Sequence, residues 1–268
     1  MNLRVTTTNP GLVIFVIDGS HSTGALWGSS GELLSDTIAH QTNRLILDLV
    51  VNAVFDNGEI RDRIKLSGYI AQGDDVIWAL PGLEPSPKWL DAEQWANSGK
   101  KQDNSNTPVW VTIEPKGKTP LLKAWSNAIE IIEEFRTENP KSGIFLISLT
   151  DGDFEEIVNS TSEVQIKELQ SKFEENAQSN NFTHMVVHMS AEEKTPIAFP
   201  ANPPGDKFSK LLFDLSTWMP ESNMSNPLRR AYICNADPGL LSHALELGSK
   251  VIRNEPFQGN TTPLTEEE

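Results

Sequence analysis

Six apolar residues, Leu12 to Ile17, stand between Gly11 and Asp18. So short and mostly β-branched a run, bounded by turn residues, reads as a strand buried on both faces. It empties into Asp18-Gly19-Ser20-His21-Ser22, a turn with one carboxylate and two hydroxyls at alternate positions. Alternate residues of a tight loop can aim their oxygens at one point, and such oxygens suit a hard divalent cation, Mg²⁺ above all. A buried strand that runs straight into a carboxylate needs something there to use the charge.

Downstream, helical and extended patterns alternate. Ser35 or Asp36 is expected to cap a helix reaching about Phe55, with Ile38, Leu45, Leu49, Val50 and Val54 as its apolar stripe. Arg61 to Ala71 and Val76 to Leu80 read as a hairpin turning at Gly73-Asp74. Residues 81–107, rich in proline and polar residues, read as an insertion with one short helix near Lys88 to Asn97. Trp89 and Trp95 are expected to pack it onto the domain. After a short extended piece, Val109 to Ile113, the stripe Leu122, Trp125, Ile129, Ile132, Phe135 marks a helix ending near Asn139-Pro140.

Gly143 to Leu149 is a second buried strand, leading into Thr150-Asp151-Gly152-Asp153. A helix from about Ser162 to Ser179 and a strand from Thr183 to Met189 follow, then an edge piece at Ile197 to Phe199. Asp206 is expected to cap a helix to about Leu215, and Asn235-Ala236-Asp237-Pro238 to open one reaching about Val251. Alternation of this kind implies an α/β fold: a doubly wound, mainly parallel sheet with helices on both faces. Ligands of such sheets bind beyond the carboxyl ends of the strands, where Asp18 and Asp151 fall.

Three pieces in order resemble the metal-ion-dependent adhesion site (MIDAS) of von Willebrand factor A (VWA) domains. They are Asp18-x-Ser20-x-Ser22 after the first strand, Thr119 in Gly117-Lys118-Thr119-Pro120-Leu121 opening a helix, and Asp151 in Leu149-Thr150-Asp151-Gly152 closing a strand. The likeness runs over roughly residues 10–253 and is nearest to intracellular bacterial VWA proteins. It implies a single Rossmann-like VWA domain over 1–253, carrying the 81–107 insertion, and a polar, flexible tail at 254–268. By the same resemblance Ser20 and Ser22 bind the metal through their hydroxyls, and Thr119 directly or through water. Asp18 and Asp151 hold metal-bound waters and balance charge. The ion is expected to be Mg²⁺, with Mn²⁺ or Ca²⁺ as alternatives. One coordination position is left to water or to a partner's Asp or Glu.

The implied function is a metal-dependent protein-interaction module, not an enzyme. Its implied context is a bacterial stress, defence or signalling assembly, such as one built around an AAA-type ATPase, a kinase or a phosphatase. A Mg²⁺-dependent hydrolase using Asp18 and Asp151, or a scaffold with a purely structural metal, are the alternatives. Against a hydrolase, no general base or nucleophile is evident beside these residues, and no Gly-x-Ser-x-Gly elbow surrounds any serine. Gly117-Lys118-Thr119 is not a nucleotide-binding loop, because Thr112 stands where its first glycine belongs. His21 is expected to be an exposed loop residue, and His184 and His188 core or surface residues without a third ligand. Trp27 fits either core or a contact rim, and Asp153 either a supporting carboxylate or a solvated charge.

Charge narrows the partners. With 22 basic against 37 acidic residues the net charge is −15, which argues against nucleic acid and anionic membranes. Cys234 is the only cysteine, so no disulfide framework forms within one chain. No apolar run reaches membrane-spanning length and no secretory leader is evident, so a cytoplasmic protein is expected, and the sequons at Asn159, Asn181, Asn223 and Asn260 carry no weight.

Overall fold

The computed structural model describes residues 5–27, 31–80, 88–102, 105–152, 160–178, 181–190, 195–219 and 229–253. Asp153, three of the sequons (Asn159, Asn223, Asn260), the tail 254–268 and parts of the 81–107 insertion lie outside them.

The chain opens with β1 (Gly11–Asp18) and α1 (Leu34–Leu49), whose end widens into a π turn at Val50–Val54. A small hairpin, β2 (Phe55–Asp56) and β3 (Glu59–Ile60), leads to a larger one, β4 (Ile64–Gln72) and β5 (Asp75–Trp78). Next come α2 (Ala92–Asn97), the pair β6 (Lys100–Gln102) and β7 (Ser105–Val109), and the long α3 (Leu121–Glu138). The second half holds β8 (Ile144–Thr150), α4 (Ser160–Gln178), β9 (Phe182–Met189) and β10 (Ile197–Ala198). It closes with α5 (Lys207–Leu215), β11 (Tyr232–Ala236) and α6 (Pro238–Arg253).

Seven strands form one sheet in the order β10-β11-β9-β8-β1-β4-β5. The five inner strands are parallel, and both edges are antiparallel. The expected doubly wound, mainly parallel α/β architecture is therefore the observed one. Pleating divides β1 between two cores. Val13, Phe15 and Ile17 pack with Leu45, Ile46 and Leu49 of α1 and Leu241 and Leu245 of α6. Leu12, Ile14 and Val16 pack on the other face with Trp125, Ile129, Ile132 and Phe135 of α3 and Phe173 of α4. Full burial of each such side chain contributes roughly 1.5–3 kcal/mol, so β1 is anchored from both sides.

The insertion packs as its tryptophans suggest. Asp91 and Gln94 form a reciprocal capping box at the start of α2. Trp95 is fully buried and its Nε1 donates to the Ile64 carbonyl, while the Trp89 ring meets Phe135 edge-on at 5.3 Å.

Three expectations are corrected. The N-cap position of α1 is Leu33, and neither Ser35 nor Asp36 caps it; Ser35 is buried inside the first turn. The strand β11 was not expected, and Asn235 and Ala236, read as a helix start, belong to it. The helix begins only at Pro238, with proline in its first turn as expected. The β6–β7 hairpin was likewise unforeseen, since its polar residues carry no apolar alternation.

Candidate metal centre

Chain order reverses direction across the sheet between β1 and β8. From β1 the chain proceeds to β4 on one side, and from β8 to β9 on the other. The crevice beyond these two carboxyl ends is the switch point where open α/β sheets bind ligands. Asp18 is the last residue of β1, and Asp151 immediately follows β8.

The Asp18 turn folds back on its own carboxylate. The Ser20 amide donates to Asp18 Oδ1 at 2.9 Å, and the Ser20 and Ser22 hydroxyls lie 2.8 Å apart. A 3₁₀ turn over His21–Gly24 follows, tied down where Thr23 Oγ1 donates to the Ser20 carbonyl at 2.8 Å. From the neighbouring strand, Thr150 Oγ1 donates to Asp18 Oδ2 at 2.8 Å. The Asp18 carboxylate is completely buried, Ser20 nearly so, and Ser22 half-buried.

The threonine loop is zipped onto this turn. The Lys116 amide donates to the Gly19 carbonyl and the His21 amide to the Gly117 carbonyl, each at 2.9 Å. The tip of the β4–β5 hairpin closes the other side, its Gly73 amide donating to the Lys116 carbonyl at 2.8 Å. Gly117 adopts φ +60, and a side chain there would place its Cβ 2.7 Å from Gly73 Cα. This clamp puts Thr119 two residues from the zipped segment. Thr119 is 3% exposed, and its hydroxyl is buried without a hydrogen-bond partner.

Electrostatics single out the same place. Burial, and then the nearby Asp151 carboxylate, push the Asp18 carboxyl up to about 7, against hydrogen bonds from Ser20 and Thr150 that pull it down. Two carboxylates in one crevice are mutually destabilising unless a cation sits with them. Among the described residues no cluster of three or more His, Cys, Asp or Glu side chains gathers. Asp18, Ser20 and Ser22 instead share one turn, with the Asp151 charge nearby and the Thr119 loop hydrogen-bonded to the turn; such oxygen donors would fit a hard cation and not a soft one. The Thr119 hydroxyl is one of seven buried side-chain polar atoms among the described residues that have no hydrogen-bond partner, and no hydrogen bond there competes with an added ligand.

Other candidates sort cleanly. His21 is exposed on the rim, as expected. Trp27 is core: it is 4% exposed and its Nε1 donates to the Ser190 carbonyl at 3.1 Å. His184 is fully buried between Ser148 Oγ and the Leu215 carbonyl, each at 2.8 Å. Thr150, present in the Leu149-Thr150-Asp151-Gly152 motif but given no role, and His188, expected to be a core or surface residue, both touch the site. Thr150 is a threonine at the end of a fully buried, mostly apolar strand, a polar group that needs a partner. His188 had no signal, because its contact with the Asp151 carbonyl depends on the β8–β9 register.

No protein-family model matches the sequence, and no curated protein sequence matches it. Among solved structures, the chain is similar to an aerotolerance-related membrane protein from Bacteroides fragilis, with 13% identity and a TM-score of 0.44, over 90% of this chain and 98% of that one. It is also similar to the pilus adhesin SpaC from Lactobacillus rhamnosus GG, with 10% identity and a TM-score of 0.51, over 94% of this chain. The chain spans only 31% of that adhesin. At such identities the likeness speaks to fold, and the fold is a mainly parallel, Rossmann-like α/β fold consistent with the VWA type.

Proposed function

We propose that this chain is a metal-dependent protein-interaction module. Ser20, Ser22 and Thr119 would hold Mg²⁺ through their hydroxyls, with Asp18 and Asp151 balancing its charge, and a partner's Asp or Glu would complete the coordination. Mn²⁺ or Ca²⁺ would use the same oxygens. The observation that carries this reading is the buried, unpartnered Thr119 hydroxyl on a loop zipped to the Asp18 turn. The reading takes the module as non-catalytic, serving a bacterial multiprotein assembly such as one built on an AAA-type ATPase, a kinase or a phosphatase. A cytoplasmic setting agrees with the single cysteine, a buried free thiol. Among the described residues no helix is long and apolar enough to cross a membrane.

A net charge of −15 repels acidic partners at long range, whereas a divalent ion attracts a carboxylate at short range. Salt screens the diffuse charge over ~8 Å, so local attraction wins within a few ångströms of the ion. The partner would therefore offer one Asp or Glu on an otherwise neutral or basic surface. Calorimetric titration of MgCl₂ into the wild type and the Ser22→Ala variant tests the metal site. Saturable binding that Ser22→Ala weakens is the expected outcome, and no binding up to ~10 mM Mg²⁺ would end the proposal. Once a partner is known, a double-mutant cycle of Asp18→Ala against the partner's carboxylate should show strong non-additivity, because both changes remove one bond. Turnover of phosphoesters with Mg²⁺ but not with EDTA would instead favour the hydrolase.

A further inference from the structure

We propose that His188 is a positioning residue for the Asp151 arm of the site, a role that rests on the metal-binding reading above. The ring spans from β9 to the loop after β8: His188 Nε2 lies 3.1 Å from the Asp151 carbonyl oxygen. A carbonyl only accepts, so Nε2 carries the proton and donates. In the neutral ring Nδ1 is then an acceptor, and Cys234 Sγ stands 3.7 Å from it, with Ser209 Oγ 3.3 Å from that sulfur. With the ring neutral, the Cys234 S–H can donate to Nδ1 and the Ser209 hydroxyl to the sulfur, a relay that ends on the Asp151 carbonyl. Three separate elements, α5, β11 and β9, thus bear on one carbonyl in the metal loop.

Backbone geometry makes the contact tight. Gly152 adopts φ +78, and a Cβ there would fall 2.7 Å from His188 Nε2, so the turn lies flat against the imidazole. On its other side the Gly152 amide donates to Thr150 Oγ1 at 3.0 Å, the same hydroxyl that holds Asp18. Asp151 is therefore fixed through its own carbonyl by His188 and through the next amide by Thr150. The peptide that carries the Asp151 side chain, whose charge acts on Asp18, is thereby held from both sides. Partners that orient a metal's ligands in this way are commonly worth 10–100-fold in affinity.

His188→Ala and His188→Gln separate the role from simple packing, because glutamine's side-chain amide can replace the Nε2 donor while alanine cannot. The probe is Mn²⁺ alone, followed by electron paramagnetic resonance, beside amide hydrogen exchange of residues 150–152 in metal-free protein. Expected is a loss of Mn²⁺ affinity of about tenfold in His188→Ala, substantial recovery in His188→Gln, and faster exchange at 150–152 in His188→Ala only. Equal affinity in wild type and His188→Ala, or a glutamine variant as weak as alanine, would overturn the proposal. A wild type that binds no Mn²⁺ would sink the metal reading itself. In that case unchanged exchange at 150–152 in His188→Ala would refute the clamp as well, and accelerated exchange would sustain it.

Discussion

Thr150 Oγ1 donates to Asp18 Oδ2 across 2.8 Å, so the last residue of β8 grips the last residue of β1. The bond spans the switch point of the sheet. It fixes one oxygen of a buried carboxylate while the Ser20 amide fixes the other. Oriented in this way, the carboxylate faces the Asp151 charge with little freedom to turn away.

That relationship sets a pH dependence. Burial and Asp151 push the Asp18 carboxyl from an ordinary 3.8 up to about 7. Between those values the folded protein holds a proton that the unfolded chain has lost, so metal-free stability falls as pH rises through the window. Asp18→Asn should flatten this component, and the difference between variant and wild-type melting curves at pH 5 and pH 8 in EDTA isolates it. Mg²⁺ should reverse the loss at the upper end. At ~1 mM ion and a dissociation constant of ~0.1–1 mM it would add roughly 0.4–1.4 kcal/mol. Identical melting in Mg²⁺ and EDTA at pH 8 would contradict this.

Thr119→Val is a near-isosteric removal of a buried hydroxyl that has no partner. In EDTA the change should be neutral or stabilising by up to about 1–2 kcal/mol, since a desolvation penalty disappears with nothing lost. Mg²⁺ affinity should drop. A strongly destabilised metal-free variant would mean that the hydroxyl does structural work instead. Chemical denaturation with and without Mg²⁺ makes the comparison.

Gly117→Ala attacks the clamp from the backbone. The position has φ +60 and its Cβ would press on Gly73 Cα, so the substitution should cost about 1–3 kcal/mol. Because the Gly117 carbonyl also receives the His21 amide, Thr119 should shift and Mg²⁺ affinity fall together with stability. Gly58→Ala, also at positive φ but with open space around it, is the control. It should lose stability and keep its affinity for Mg²⁺, which a Mg²⁺ titration of both variants would reveal.

Trp125 Nε1 donates to Ser148 Oγ at 2.8 Å, Ser148 donates on to His184 Nε2, and His184 Nδ1 donates to the Leu215 carbonyl. Ser148→Ala strands two buried groups at once and should cost about 1–3 kcal/mol in urea unfolding. Burial pushes His184 from 6.5 down to about 3. Below pH 6.5 the unfolded chain gains a proton that the folded core refuses, so this group erodes stability as pH falls, opposite in sign to Asp18. Nitrogen-15 NMR should find His184 protonated on Nδ1 and unchanged from pH 8 to pH 5. A ring titrating near 6.5 would show that the burial is wrong.

Much of this was legible because apolar runs and periodic stripes report burial directly. Leu12 to Ile17 is fully buried, as are Trp125, Ile132 and Phe135 of α3, and Asp206 caps α5 through the Ser209 amide as expected. The carboxylates and hydroxyls of the candidate site stand out in the sequence because short oxygen-bearing turns follow buried strands. Their supports could not. Thr150 and His188 matter through cross-strand register, which no local pattern encodes. β11 hid because Tyr232-Ile233-Cys234 is too short a run, and Asn235, at φ +52, looks like a turn residue. Ser35 looked like a cap only because sequence cannot show that it points into the core.

The antiparallel edges carry a consequence for assembly. Among the described residues β10 has two residues and β5 four, so neither flank offers a long row of free amides and carbonyls on which another chain could extend the sheet. Growth by strand addition, the common hazard of exposed β-edges, is suppressed at both ends.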